Sequence, residues 1–225
     1  MKNLLITGKS GYIARQFEGF IQQFPNEYNV TAVSLRNSDW REIDFSQYDA
    51  VPHTAGIAHI KETRDNVDLY YEVNRDLTVE LAQKAKESGV RQFIFLSSVS
   101  IYGMDEGSIT PETIPNPVSN YGKSKLQAEE GILPLQTDNF TICILRPPMV
   151  YGSGCKGNYQ MLEKIARLSP IFPDYQNQRS MVSVETLCRS IKNLIDWSAG
   201  GIFFPQEENY ICTSKMVQEI AAGMG

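Results

Sequence analysis

The chain reads as an α/β fold, a single parallel sheet covered by helices. Two observations predict it. Apolar runs of strand length recur at Asn3–Thr7, Val30–Leu35, Ala50–Ala55, Phe93–Ser97 and Thr141–Leu145, and segments of helical character lie between them. Strands that alternate with helices in this way are buried on both faces, which is why each reads as an apolar run. The size agrees: 225 residues, 42% of them apolar, suffice for a sizeable core in one large domain with or without a small appendage.

Each element has a local reason. The first strand ends at Thr7-Gly8, and an apolar helix through Phe17 and Phe20 follows. Pro52 lies inside the run Ala50–Ala55, where its missing N–H predicts a bulge or irregular pairing. Leu69, Val73, Leu77, Leu81 and Ala85 recur at every fourth position, predicting a helix from about Val67 to Ser88 with Ser88-Gly89 as its stop. After Arg146-Pro147-Pro148 the pattern loosens. Gly152, Gly154 and Gly157 precede a helical stretch near Tyr159–Leu168, followed by Pro170 and Pro173. A helix at about Glu185–Trp197, a short strand at Ile202–Phe204 and a helix from Ser214 complete the chain.

Composition excludes several functions. A net charge of −5 with scattered Lys and Arg offers no basic stripe for a nucleic-acid backbone. The opening apolar run, Leu4-Leu5-Ile6, is too short for a signal-peptide core, and no later run approaches a membrane span. Cys143, Cys155, Cys188 and Cys212 are widely spaced without a C-x-x-C, so a cytoplasmic location is expected. His53 and His59 lack neighbouring carboxylate or thiol ligands, and no metal site is expected.

Two patterns carry chemistry. Thr7-Gly8-Lys9-Ser10-Gly11-Tyr12-Ile13-Ala14 directly follows a strand and opens a helix. A glycine turn there lets backbone approach a pyrophosphate at the helix N-terminus, predicting a doubly wound, Rossmann-type dinucleotide site; an ordinary glycine turn is the competing reading. A P-loop would need an earlier glycine at Asn3. The end of the second strand offers Ser34-Leu35-Arg36 instead of a ribose-binding acid, so Arg36 leaves NADP open beside NAD. Asp44 and Phe45 stand where the adenine is expected, and Asp44 reads equally well as a loop acid. The second pattern is Tyr121 and Lys125, one helical turn apart. An ammonium beside a phenol favours the phenolate, making the pair an acid/base candidate, whereas the same spacing on a solvated helix would do nothing.

In order, the glycine turn, His53-Thr54-Ala55-Gly56, Val73-Asn74, Leu96 to Gly103, the Tyr121/Lys125 pair and Arg146-Pro147-Pro148-Met149-Val150-Tyr151-Gly152 resemble the extended short-chain dehydrogenase/reductase family. Within it they resemble the NAD-dependent epimerase/dehydratase branch, over nearly the whole chain. The resemblance implies Tyr121 as acid/base, Lys125 as binder of the nicotinamide ribose and lowerer of the tyrosine pKa, and Ser98 as the hydroxyl that positions the reacting sugar oxygen. Strand-end backbone capping is the alternative role for Ser98. Cofactor contacts are implied at Gly8, Ser10, Gly11, Tyr12, Ile13, Arg36, Asp44, Phe45, Thr54, Ala55, Gly56, Asn74, Tyr121, Lys125, Pro147, Met149 and Val150. Substrate contacts are implied at Ser98, Ser100, Tyr121, Asn158 and Arg179; helix capping by Asn158 and a surface charge at Arg179 compete with this.

Dehydratases of this branch carry Asp-Glu after the catalytic hydroxyl, where this chain has Val99-Ser100. The resemblance therefore implies 4-epimerisation or C4 oxidoreduction of a nucleotide sugar, a UDP-hexose or UDP-N-acetylhexosamine, in surface-polysaccharide synthesis. It also implies a homodimer. Residues 1–150 are expected to bind the dinucleotide and 151–225 to form a mixed substrate-binding region, with about 181–204 returning to the sheet. The chain stops at Met224-Gly225, soon after a helix that relatives follow with more substrate-domain residues, so the sugar pocket is expected to be short. A catalytically weak dinucleotide sensor is the reading from another class; retention of Ser98, Tyr121 and Lys125 speaks for chemistry.

Overall fold

Alternation along the central strands decides which helices cover which face. Leu4, Ile6, Ile94, Cys143 and Leu145 point into one apolar cluster, while Leu5, Val51, Phe93, Phe95, Ile142 and Ile144 point into the other. The computed structural model describes residues 1–58, 60, 62–155, 158–168, 174 and 177–223. His59, Gly157, Pro170 and Pro173 lie outside them.

Six parallel strands form the sheet: β1 (Lys2–Thr7), β2 (Tyr28–Val33), β3 (Ala50–His53), β4 (Gln92–Leu96), β5 (Thr141–Leu145) and β8 (Gly201–Phe203). Their order is β2-β1-β3-β4-β5-β8. A smaller parallel pair joins β6 (Met149–Tyr151) to β7 (Met181–Ser183). Thus Met181–Ser183 does not return to the main sheet as expected; it pairs with β6, and only β8 re-enters, beside β5.

Helix α1 (Tyr12–Ile21) and helix α6 (Val184–Asp196) supply Phe17, Ile21, Leu187, Ile191 and Ile195 to the first cluster. The other face is covered by α3 (Leu77–Glu87) and α4 (Asn120–Ile132), through Leu81, Ala82, Ala85, Ala128 and Ile132. Outside the sheet lie α2 (Val67–Tyr71), α5 (Asn158–Leu168) and α7 (Thr213–Ala222). No helix among the described residues is long and apolar enough to cross a membrane.

The helix expected across Val67–Ser88 is interrupted. Glu72–Asp76 winds as a π-helix between α2 and α3. Its wider turn shifts the buried face by one residue, so Tyr70, Asn74 and Thr78 are buried and Leu69 is 40% exposed. Pro52 is fully inside β3, and the ladder to β1 registers only Leu4 with Ala50 and Thr7 with His53. All four β3 residues register with β4. The irregular pairing expected from a proline without an N–H falls on the β1 side.

Ser119 caps α4, its hydroxyl accepting from the Gly122 N–H at 3.1 Å. Gly122 is where this helix touches the turn after β4: an added Cβ would lie 2.5 Å from the Ser100 carbonyl oxygen and 3.0 Å from the Pro117 Cβ. Gly122→Ala gains about 1 kcal/mol of helix propensity, but the clash is with backbone. A net loss of about 1–3 kcal/mol is expected. Thermal unfolding checks it; an unchanged or raised Tm would remove Gly122 as the contact that seats α4.

Candidate active site

The strand order reverses between β1 and β3: the chain moves from β1 outward to β2, then returns past β1 to β3 and continues the other way. The carboxyl ends of β1 and β3 therefore open a crevice, the place where α/β sheets receive ligands. Gly8 leaves β1 with φ +99°, and a Cβ there would lie 2.9 Å from the backbone of Ala55. Only glycine permits both that conformation and that approach.

The turn is held from behind. The N–H groups of Gly8 and Lys9 both donate to the Val33 carbonyl at 2.9 Å, and the Gly11 N–H donates to the Gly8 carbonyl at 2.7 Å. Gly11 then caps α1 with no side-chain bond, and the first turn contains no acid. The N–H groups of Tyr12 and Ile13 thus begin a helix uncapped by side chain, with the dipole unopposed. This is the arrangement that takes a pyrophosphate. Ser10 is exposed beside them, and Ala14, 1% exposed, fits against the core where a larger residue would push the helix away. The residues present fit a dinucleotide.

The second wall of the crevice is the loop after β3. Thr54 donates through its N–H and its hydroxyl to the Thr7 carbonyl, at 3.2 and 3.1 Å. Asn74 is fully buried; its Oδ1 accepts from the Ile57 N–H at 2.8 Å, and its Nδ2 donates to the Ile57 carbonyl at 3.0 Å and to the Ser124 hydroxyl at 3.1 Å. Asn74 was expected to touch the cofactor. Its amide holds the Thr54–Ile57 loop against α4.

Beneath this loop lies His53, the first residue of the His53-Thr54-Ala55-Gly56 motif. The Thr78 hydroxyl donates to the Asn74 carbonyl at 2.9 Å, so it accepts from His53 Nε2–H, also at 2.9 Å. Nδ1 is then bare and accepts from the Thr7 hydroxyl at 2.7 Å. The ring stacks on Phe93 and Phe95, with centroids 5.7 and 5.8 Å away. Burial, aided by Lys125, pushes His53 down to about 3, so it is neutral and joins β1, β3 and α3 by hydrogen bonds alone. In the structure Thr7 and His53 both end strands that face one crevice.

Ser98, two residues past β4 in extended backbone, caps the 3₁₀ turn Val99–Tyr102; its Oγ accepts from the Ser100 N–H and donates to the Ser100 hydroxyl, both at 3.1 Å. Tyr121, half-buried at the start of α4, lies near enough to Ser98 for the serine hydroxyl to act on its phenol. One turn on, Lys125 is 3% exposed; its amine donates to the Leu96 carbonyl at 2.8 Å and sits 4.6 Å from the Phe95 ring centroid. Gly56 faces the same amine, since a Cβ there would lie 3.1 Å from Lys125 Nζ. Glycine turn, β3 loop, Ser98 turn and α4 therefore converge on one point.

The electrostatics correct one expectation. The Tyr121 phenol is raised, chiefly by burial, with the Ser98 hydroxyl opposing and Tyr70 adding. Burial pushes Lys125 down to about 7, against a pull upward from Glu129. A lysine that is only partly charged near neutrality does not lower the phenol in the protein alone.

The other predicted residues divide. Arg36 is exposed beyond β2, its N–H on the Ser34 hydroxyl at 3.3 Å. Asp44 accepts from the Ser46 N–H at 2.9 Å and caps a short 3₁₀ turn; that bonding holds its carboxyl below the usual range. The Phe45 ring is fully buried in the second cluster, so its side chain is not offered to the crevice. Pro147 is buried, its carbonyl accepting from the Val99 N–H at 3.1 Å, and Met149 and Val150 form β6 directly beyond. Asn158 opens α5, its side chain outside the described residues. Arg179 is exposed, bridged through its backbone to Ile211.

Residues 4–197 match the NAD dependent epimerase/dehydratase family. The chain belongs to this family. It is 33% identical over 252 aligned residues to a UDP-glucose 4-epimerase of Vibrio cholerae, covering 99% of this chain and 76% of that one. In fold it is similar to a UDP-glucuronic acid 4-epimerase from Bacillus cereus solved with NAD: TM-score 0.83, 19% identity, 98% of this chain and 82% of that one. It is also similar to RMD from Pseudomonas aeruginosa complexed with NADPH: TM-score 0.79, 22% identity, 97% and 82% covered. An NAD-dependent family and a crevice shaped for a pyrophosphate agree on a nicotinamide dinucleotide as cofactor.

Because His53 titrates near 3 when folded and near 6.5 when unfolded, the unfolded chain binds the extra proton between those values. Stability is then complete above about 6.5 and falls as pH drops toward 3, by up to about 1.4 kcal/mol per pH unit from this group. His53→Gln is expected to remove that slope. Urea unfolding from pH 7 to 4 checks it, and an identical pH dependence in both proteins would contradict the assignment.

Proposed function

We propose that this chain is a nucleotide-sugar 4-epimerase or C4 oxidoreductase acting on a UDP-hexose or UDP-N-acetylhexosamine. The observation that carries it is Tyr121 set beside Ser98, with the Lys125 amine buried one turn further along α4 at the crevice of the glycine turn. The likeness to the V. cholerae UDP-glucose 4-epimerase supports the choice of sugar nucleotide.

In this reading the Tyr12 and Ile13 N–H groups and Ser10 hold the pyrophosphate, the Thr54–Gly56 loop and Lys125 hold the nicotinamide ribose, and Asp44 with the Phe45 backbone meets the adenine. When bound, the nicotinamide supplies the acceptor and donor of a hydride. Ser98 Oγ orients the sugar hydroxyl, and Tyr121 Oη holds or takes its proton. Lys125, when charged, stabilises the phenolate that results. Nothing follows Ser98 that could serve as a separate acid and base for water elimination: Val99 gives its N–H to the Pro147 carbonyl, and Ser100 bonds back to Ser98. Chemistry confined to C4 suits that pair. A sensor would have no use for the three groups together.

Asn158 and Arg179 are proposed as the residues that meet the diphosphate, and Arg36 as the reader of a 2'-phosphate. Two measurements follow. Tyr121→Phe keeps dinucleotide binding and loses turnover by about 10²–10⁴-fold; near-normal turnover would sink the catalytic assignment. Arg36→Ala lowers NADP affinity and leaves NAD affinity alone, measured by titration of the purified protein, and an unchanged preference means that Arg36 does not read the cofactor.

A further inference from the structure

Behind the reacting groups lies a buried ion cluster that the reaction does not consume. Arg146, at the end of β5, is 8% exposed, and Glu129, on α4, is 1% exposed. The guanidinium donates to Glu129 through Nη2 at 2.5 Å and through Nε to both carboxylate oxygens at 3.2 Å. Its Nη1 donates to the Tyr102 hydroxyl at 2.6 Å. It also lies over the Tyr102 and Phe204 rings, 5.4 and 5.9 Å from their centroids. The Arg146 N–H donates to the Phe203 carbonyl at 2.8 Å, anchoring it to β8.

The connections matter more than the charges alone. Tyr102 ends the 3₁₀ turn that Ser98 begins. Glu129 lies one turn past Lys125 and two past Tyr121 on α4. One guanidinium therefore grips both elements that carry the reacting groups. We propose that Arg146, Glu129 and Tyr102 form a positioning device that sets Ser98 against Tyr121 and keeps a negative charge one turn from the Lys125 amine.

This proposal rests on the reading of Ser98, Tyr121 and Lys125 as the reacting groups. A buried ion pair contributes little stability that apolar side chains of similar volume could not supply. What apolar packing lacks is direction: the planar fork fixes two partners at set angles. The charge has its own task. Acting on the Lys125 amine are Glu129 from α4 and neutral His53 from β3, with Arg146 beyond Glu129. Glu129 is the group that opposes burial and keeps part of the lysine protonated near neutrality.

The test replaces the pair with apolar residues of similar volume, Glu129→Leu/Arg146→Met, so that no buried charge is stranded. The Lys125 protonation midpoint is read in the unliganded protein by NMR of the lysine side-chain carbons, the signal being assigned by its loss in Lys125→Met. The expected results are a midpoint lower by roughly half a pH unit or more, a kcat reduced about tenfold or more, and a KM within about threefold. A wild-type value for either the midpoint or kcat overturns the proposal. Arg146→Lys keeps the cation but cannot span both partners, and it carries the kcat test should the double variant not fold; wild-type kcat there is equally fatal. Tyr121→Phe is run beside them. If that variant turns over normally the catalytic reading fails, whereas the Lys125 midpoint still reports on Glu129.

Discussion

Burying the Lys125 amine at the carboxyl end of β4 is the constraint on which the working half of this molecule depends. A charged amine resists removal from water, and here burial pushes it down to about 7. Several elements at the crevice answer to it: the Leu96 carbonyl accepts its hydrogen bond, the Phe95 ring lies beneath it, and Gly56 leaves it room. Ordinary packing would place an apolar residue at this point. In the proposed function the lysine serves chemistry at the crevice, where an amine that changes charge near neutrality governs a neighbouring phenol.

The walls around that amine are built from hydrogen bonds that fix loops rather than strands. Neutral His53 joins Thr7 and Thr78, and Thr78 joins Asn74, which clasps both Ile57 and Ser124. This chain of bonds runs under the glycine turn and ends on α4, the helix of Tyr121. The π-helical turn at Glu72–Asp76 belongs to it, because the extra residue in that turn brings Asn74 inward. The β3 loop and the helix of Tyr121 are thus parts of one buried polar network with few unpaired members; among the described residues the Ser97 hydroxyl alone is buried without a partner.

Much of this was legible in the sequence. Apolar runs marked the strands, and the glycine turn and the Tyr121/Lys125 spacing marked the crevice, because each depends on local periodicity or on a backbone freedom unique to glycine. What was missed depends on distant partners. β2 ends at Val33, two residues before the expected end, where the Val33 carbonyl turns to Gly8 and Lys9. Phe45 looked like a cofactor contact because its place in the chain is right, but the second apolar cluster claims its ring. The sign of the Tyr121 shift was misjudged because spacing reports a neighbour's identity, not how far burial has discharged it. Arg146 stood in a family motif, but its pairing with Glu129 gave no signal, since a pairing across seventeen residues is fixed only by the fold.

Reversible redox chemistry at the sugar C4 is the central claim, and a substrate deuterated at C4 tests it most directly. With a UDP-sugar so labelled, turnover is predicted to show a primary isotope effect, and the deuterium is predicted to stay on C4 of the product or to pass to the dinucleotide. Deuterium released into water, or turnover with no isotope effect and the label on an unreacted carbon, would contradict it.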